Sequence, residues 1–314
     1  MPDMPQPVKD LKGYLVGLSV GDSQDVQAYG LLPRHLDIAF GAIVTALVMN
    51  KARLAYGGDL RQRGFTQQLY ENVAEAYAED YLRGDNSSDP PFVHYLASHI
   101  WTPLPGDLAP WLASSGGLVE VRFMRGDGYI AVKVSDGAFL LDAGRGAAER
   151  LPSVADLMGR LKQLAPEHIE ANPETDAASL AQMRKQMGRD CDARILLGGK
   201  MYDYAGLEPG IPAEARDSIV EGAAVLPLGG FGGAARDVAI GMGLAPLNLR
   251  EGTPRGRGYP ETMTAIERYS EPAMKRLAGK VDEARDLART TDSREAARLV
   301  VDILRGLPKR PPRQ

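Results

Sequence analysis

The chain has 314 residues, a formal net charge of −4, 44% hydrophobic and 25% charged residues, and one cysteine. That composition fits a water-soluble fold, gives no bulk electrostatic case for nucleic acid, and excludes a disulfide framework or a thiolate metal cluster. The unusual figure is 35 glycines, where a usual share of about 7% would give about 22.

The first 12 residues are polar and proline-rich and read as a loose arm; Met1-Pro2-Asp3-Met4-Pro5 has neither the basic start nor the apolar core of a secretory signal. No apolar run reaches the roughly 18 residues of a membrane-spanning helix, and 38–49, which contains Gly and Thr, reads as buried helix. With a lone Cys191, a reducing cytoplasm is the expected location. Tyr14 to Val20 is a short, apolar, β-rich run that enters Gly21-Asp22-Ser23. From Pro33 to about Ala52 apolar residues recur at helical spacing, as at Leu36, Phe40, Val44 and Leu47. A second strand, Arg53 to Tyr56, meets Gly57-Gly58-Asp59, and a helix follows from about Thr66 to Arg83. Strand and helix thus alternate, as in a parallel sheet covered by helices.

Residues 84–91 read as a loop. Between 93 and 140 four strand-like runs follow: Val93–Ile100, Leu118–Met124, and a hairpin of Tyr129–Val134 with Ala138–Leu141. Helices are expected from Ser153 to Leu164 and from Asp176 to about Gly188. Arg194–Leu197 is a strand entering Gly198-Gly199-Lys200, Pro212–Glu221 a helix, and Ala224–Leu228 a strand entering Gly229-Gly230-Phe231-Gly232-Gly233, with another helix behind it. Beyond residue 250 the chain is helical and charged, with 14 basic and 10 acidic residues. We therefore divide it into residues 1–250, with an insertion at about 125–150, and a charged helical extension over 251–314.

Four loops share one grammar of strand, glycines and helix, and twelve of the 35 glycines fall in or beside them. In a parallel sheet such loops all lie at the carboxyl edge of the strands and converge on one crevice. Glycine lets the backbone turn with positive φ and lets a phosphate approach the amides, while the following helix presents unpaired N–H groups. Neither G-x-G-x-x-G after the first strand nor G-x-x-x-x-G-K-[ST] is present, which argues against a nicotinamide dehydrogenase and a P-loop NTPase.

Tyr56-Gly57-Gly58-Asp59-Leu60-Arg61 with Gly64-Phe65-Thr66, then Leu197-Gly198-Gly199-Lys200 with Pro209-Gly210-Ile211 and Glu214, then Leu228-Gly229-Gly230-Phe231-Gly232-Gly233, resemble the SLOG superfamily over roughly residues 12–245. That group links the LOG proteins, the DNA-processing protein DprA, and ligand-sensing domains of TRPM channels and Thoeris antiphage effectors. The resemblance implies an α/β, Rossmann-like and mostly parallel sheet whose glycine loops bind nucleotides or signals made from NAD or ADP-ribose. It also implies a role in antiphage or other conflict signalling; no cofactor beyond such a ligand is expected to be required. LOG enzymes share P-G-G-x-G-T-x-x-E; here Leu228 stands at the proline, Gly233 at the threonine and Arg236 at the glutamate. Asp237, one residue on, is rotated by about 100° on a helix. Arg236 suits a phosphate or carboxylate, so the chain looks more like a binder than a hydrolase.

The expected ligand contacts are Gly21, Asp22, Ser23, Gly57, Gly58, Asp59, Arg61, Thr66, Gly199, Lys200, Gly210, Glu214, Gly229, Gly230, Phe231, Gly232, Gly233 and Arg236. Asp22 and Asp59 serve either as turn or cap residues or as ribose acceptors. Thr66 and Glu214 have equally good structural roles at helix starts, and Phe231 either stacks on a base or packs beneath its loop. Arg184 reads as a surface arginine. For an N-glycosidic hydrolase or transferase, Glu214, Asp237 or Asp59 is the acid–base carboxylate. The four histidines lack metal spacing, and there is no G-x-S-x-G elbow. The charged C-terminal helices are expected to form internal salt bridges or a contact between copies of the chain, with no membrane partner; DNA handling like that of the DNA-processing relatives is a third reading, against which the net acidic first 250 residues argue.

Overall fold

The computed structural model describes residues 10–58, 65–82, 89–102, 108–115, 117–144, 146–165, 172–204, 206–246, 254–277 and 279–310. Strands β1 (Leu15–Gly21), β2 (Arg53–Gly57), β3 (Phe92–Leu96), β4 (Val119–Arg125), β5 (Gly128–Ser135), β6 (Ala138–Asp142), β7 (Glu149–Leu151), β8 (Ala193–Gly198) and β9 (Ala224–Leu228) form one sheet. Its order is β7-β6-β5-β4-β3-β2-β1-β8-β9. The six strands from β4 to β9 across that order are parallel, and β5, β6 and β7 extend the sheet antiparallel. The expected α/β class and the hairpin both hold. Asp136 and Gly137, at φ +49° and +70°, make the two-residue turn that an Asp-Gly pair favours.

The helices are α1 (Pro33–Met49), α2 (Phe65–Leu82), α3 (Ser98–Trp101), α4 (Leu108–Ser114), α5 (Val154–Leu164), α6 (Pro173–Asp190), α7 (Gly210–Val220), α8 (Gly233–Gly241), α9 (Tyr259–Arg268), α10 (Ser270–Arg276), α11 (Val281–Leu287) and α12 (Ser293–Gly306). Strand alternation assigns them to faces. Val16 and Leu18 of β1 share a core with Phe40, Ile43, Val44 and Leu47 of α1, while Leu15 belongs with Met183, Met187 and Cys191 under α6. Three expectations need correction. The run from Val93 to Ile100 is a strand only to Leu96: the chain turns into α3, where buried Trp101 donates its indole N–H to the Met124 carbonyl at 2.9 Å. β7 and α4 were not read at all. And α6 begins at Pro173, because Asn172 accepts the amides of Glu174 and Thr175.

The C-terminal helices enter the same core as the sheet: Val300, Ile303 and Leu304 of α12 cluster with α1. Beyond α12, the Tyr14 hydroxyl donates to the Leu307 carbonyl at 2.7 Å. Arg310 donates to the carbonyls of Gly188 at 2.8 Å and of Cys191 and Glu221 at 2.5 Å. That cation sits on the carboxyl ends of α6 and α7, where the carbonyls are unpaired and the dipoles negative. Among the described residues no helix is long and apolar enough to cross a membrane.

Candidate functional site

β1 pairs with β2 on one side and β8 on the other, so the sheet order reverses between β1 and β8. Ligands of open α/β sheets bind beyond the carboxyl ends of the strands at such a switch point. Here those ends are Gly21 and Gly198, which are register partners. The Gly199 amide donates to the Gly21 carbonyl at 3.0 Å, and the Ala234 amide donates to the Gly199 carbonyl at 3.0 Å. Gly198 has φ +64°, and a Cβ there would lie 2.2 Å from the Gly21 carbonyl oxygen. Gly233 has φ +67°, and its Cβ would lie 2.7 Å from the Gly198 and Gly199 backbone. The loops after β1, β8 and β9 therefore meet backbone to backbone.

The β9 loop is not the open phosphate cradle its sequence suggests. The Gly232 amide donates to the Gly229 carbonyl at 3.0 Å, and the Gly233 amide donates to the Asp25 carboxylate at 2.7 Å. Asp25 also accepts from the hydroxyls of Ser23 at 2.8 Å and Tyr29 at 3.2 Å. A carboxylate from the β1 loop thus already occupies the amino end of α8, the place where a free anion would be stabilised. Gly229 and Gly230 lie against the backbone of Ala288, Arg289 and Thr290, and Phe231 is fully buried, beneath the loop.

The amino end of α7 differs. Its cap residue is Pro209, no side chain caps it, and the Gly210 and Ile211 amides make no hydrogen bond among the described residues. The Ile211 side chain packs on Gly199, within reach of Gly21, so this helix end stands beside the switch point. Arg184 reaches it from α6, with Nη2 3.9 Å from where a Gly210 Cβ would stand. The expected surface arginine is in fact only 8% exposed, with Nε buried and unpartnered. Its neighbours on α6, Met183 and Met187, pack against Gly57 at the end of β2, and that packing draws Arg184 inward. Glu208 feels Arg184, but its two oxygens are held by Arg216 at 2.8 and 3.1 Å, which keeps its carboxyl below the usual range.

Glu214, one turn into α7, accepts through Oε2 from Arg194 at 3.2 Å and from the Ser19 hydroxyl. Arg194 is fully buried and also donates to Ser218 at 2.7 Å and Ser19 at 3.0 Å. Oε1 of Glu214 makes no hydrogen bond among the described residues. Cys191 lies beside this network, and burial pushes its thiol up to about 12, which keeps it an unreactive packing group.

On α8, Arg236 and Asp237 part company as helical rotation requires. Arg236 places its guanidinium 3.9 Å above the Tyr29 ring. Asp237 is held by Arg255 at 2.6 and 3.1 Å and by the Tyr259 hydroxyl at 2.9 Å. The candidate carboxylate at 237 is therefore held in an internal ion pair with Arg255. Asp22 and Lys200 are exposed, Ser23 is half-buried, and Thr66 is buried in the first turn of α2. Asp59 and Arg61 lie outside the described residues. Asp25, Tyr29, Arg194 and Arg255 escaped sequence reading; only Arg194, a charge inside an apolar strand, left a signal.

Among the described residues no cluster of His, Cys, Asp or Glu could hold a metal ion. His94 is fully buried among Tyr56, Phe92 and Trp111, at ring distances of 6.3, 5.8 and 5.9 Å. Burial lowers its pKa to about 3. The Gly58 backbone pulls the other way, although neither ring nitrogen makes a hydrogen bond of ordinary geometry. The folded protein thus keeps His94 neutral while the unfolded chain takes a proton below about 6.5, so stability falls as pH drops from 6.5 towards 3. Between pH 7 and 5 this residue is expected to remove about 2 kcal/mol. Urea titrations at both pH values check it: His94→Phe should flatten the slope, and an unchanged slope contradicts a neutral, buried imidazole.

A family model described as SLOG cluster2 matches residues 10–122 and 143–283. The interval it skips contains β5 and β6, the hairpin that extends the sheet. No curated protein matches the chain. Matched over most of its length, with glycine loops meeting at the switch point of a Rossmann-like sheet, the chain belongs to the SLOG cluster2 family.

Proposed function

We propose that the chain binds a nucleotide-derived ligand in the crevice between the β1 and β8 loops and the amino end of α7. The observation that carries this reading is Arg184. An arginine only 8% exposed, with its Nε buried without a partner and no hydrogen bond or ion pair on its guanidinium among the described residues, is costly unless a partner arrives, and it stands at a helix end with unused amides. A phosphate there gains the Gly210 and Ile211 amides, the helix dipole and the Arg184 fork at once. Lys200, exposed at the end of β8, adds charge at the rim. Oε1 of Glu214 accepts from a ribose hydroxyl, with Arg194 and Ser19 fixing the other oxygen.

The family resemblance favours NAD, ADP-ribose or a cyclic relative over other phosphates, and a sensing role in which binding orders the loops and alters self-association. Cleavage is the alternative; of its candidate carboxylates among the described residues, Asp237 is engaged and Glu214 keeps an oxygen unbonded. A thermal-shift panel of NAD, ADP-ribose, cyclic ADP-ribose, AMP and GMP tests the binding reading. A ligand at 100 times its dissociation constant adds about 2.7 kcal/mol, and no shift with any member removes the reading's support. Free base released on incubation and lost in Glu214→Gln would turn it to catalysis.

A further inference from the structure

We propose that Arg236, seated on Tyr29, forms a second anion subsite, so that the ligand carries two separate acidic groups, one phosphate at Arg184 and a phosphate or carboxylate at Arg236. The ligand's identity as a nucleotide rests on the reading above; the subsite rests on its own geometry. Arg236 is 6% exposed, and the described residues give it no hydrogen bond and no ion pair. Its guanidinium lies 3.9 Å above the Tyr29 ring. A cation–π contact offsets only part of the cost of burying a charge.

Neither neighbouring acid bonds that guanidinium directly. Asp25 accepts from the Gly233 amide, Ser23 and Tyr29. Asp237 is held by Arg255 and Tyr259. Because Asp25 occupies the amino end of α8, the subsite is a side-chain fork over an aromatic ring rather than a helix terminus. Such a fork binds carboxylate or phosphate bidentately. Tyr29 beneath it packs on Gly232 and donates to Asp25 of the β1 loop, and that loop meets the β8 loop where the Gly199 amide donates to the Gly21 carbonyl. Both arginines therefore stand at the carboxyl edge of the sheet around these joined loops, Arg236 by the β1 loop and Arg184 by the amino end of α7, and one molecule reaching between them meets both. A nucleoside bisphosphate, or a nucleotide with a phosphate or carboxylate at its far end, matches this pair of forks better than a monophosphate does.

The test follows the arginine Nε–H resonances of the full chain while AMP or adenosine 3′,5′-bisphosphate is titrated, with signals assigned by Arg184→Gln and Arg236→Gln. The expected result is that AMP moves the Arg184 signal alone and the bisphosphate moves both. Arg236→Gln should weaken the bisphosphate about tenfold or more and leave AMP unchanged. An Arg236 signal that never moves, or equal weakening of both ligands, overturns the second subsite. An Arg236→Gln that only lowers the melting temperature would make Arg236 a counter-ion for Asp25 and also overturns it. An Arg184 signal that stays fixed while Arg236 responds would instead sink the α7 site and leave this subsite standing; if neither responds to any nucleotide, both fall.

Discussion

Arg194→Ala is expected to lower stability by about 3–5 kcal/mol, as breaking one side of a buried ion pair does. Arg194 is fully buried in β8 and donates to Ser19, Ser218 and Glu214. Gly17 provides the space, since a Cβ there would stand 3.4 Å from the Arg194 Cζ. Alanine removes the guanidinium, leaves Glu214 without its cation and opens a void next to Cys191. Each of these is destabilising, and the uncompensated carboxylate is the largest. Arg194→Met combined with Glu214→Gln should recover much of the loss, because an apolar stem fills the volume and no charge remains. Urea denaturation of the single and double variants checks this, and a cost below about 1 kcal/mol for Arg194→Ala would mean that the pair is not buried as described.

Gly198→Ala is expected to cost about 4 kcal/mol or more and to abolish ligand binding. Two penalties add. An L side chain at φ +64° is strained by about 1–2 kcal/mol, and the new Cβ meets the Gly21 carbonyl oxygen at 2.2 Å. That contact is between backbone groups of paired strands, so no side chain can swing away to relieve it. Separation of β1 from β8 at their carboxyl ends then spreads the crevice. Gly243 has φ +77° with nothing within 4 Å of its would-be Cβ, so Gly243→Ala carries only the strain, about 1 kcal/mol. Thermal melts of both variants separate strain from contact; equal losses would refute the loop-on-loop packing.

The framework of the fold was legible because β1, β2, β8 and β9 each run into glycine and hand over to a helix whose apolar spacing is regular. β1, α1, β2, α2, β8, α7, β9 and α8 all announce themselves this way. The stretch from 93 to 140 was harder, because Ser98-His99-Ile100-Trp101 continues an apolar run in which only tertiary packing decides that Trp101 bonds Met124 from a helical turn. At the site, the loops were legible but their vacancies were not. Which helix end stays open depends on Asp25 reaching Gly233 across 208 residues of chain. Likewise Arg184 belongs to a charged, polar helix, and nothing in its spacing shows that packing of Met183 on Gly57 draws it inward. The exchange of glutamate for Arg236 was visible in the sequence, but its seat on Tyr29 was not.

The central claim is that an unpaired Arg184 at the open end of α7 holds the phosphate of a nucleotide-derived ligand. Isothermal titration of ADP-ribose into the wild-type chain and into Arg184→Gln tests it most directly. The predicted result is binding to the wild type that weakens about 10- to 100-fold in the variant, with a melting temperature in the absence of ligand that is unchanged or higher. Equal affinity in the two proteins would contradict it.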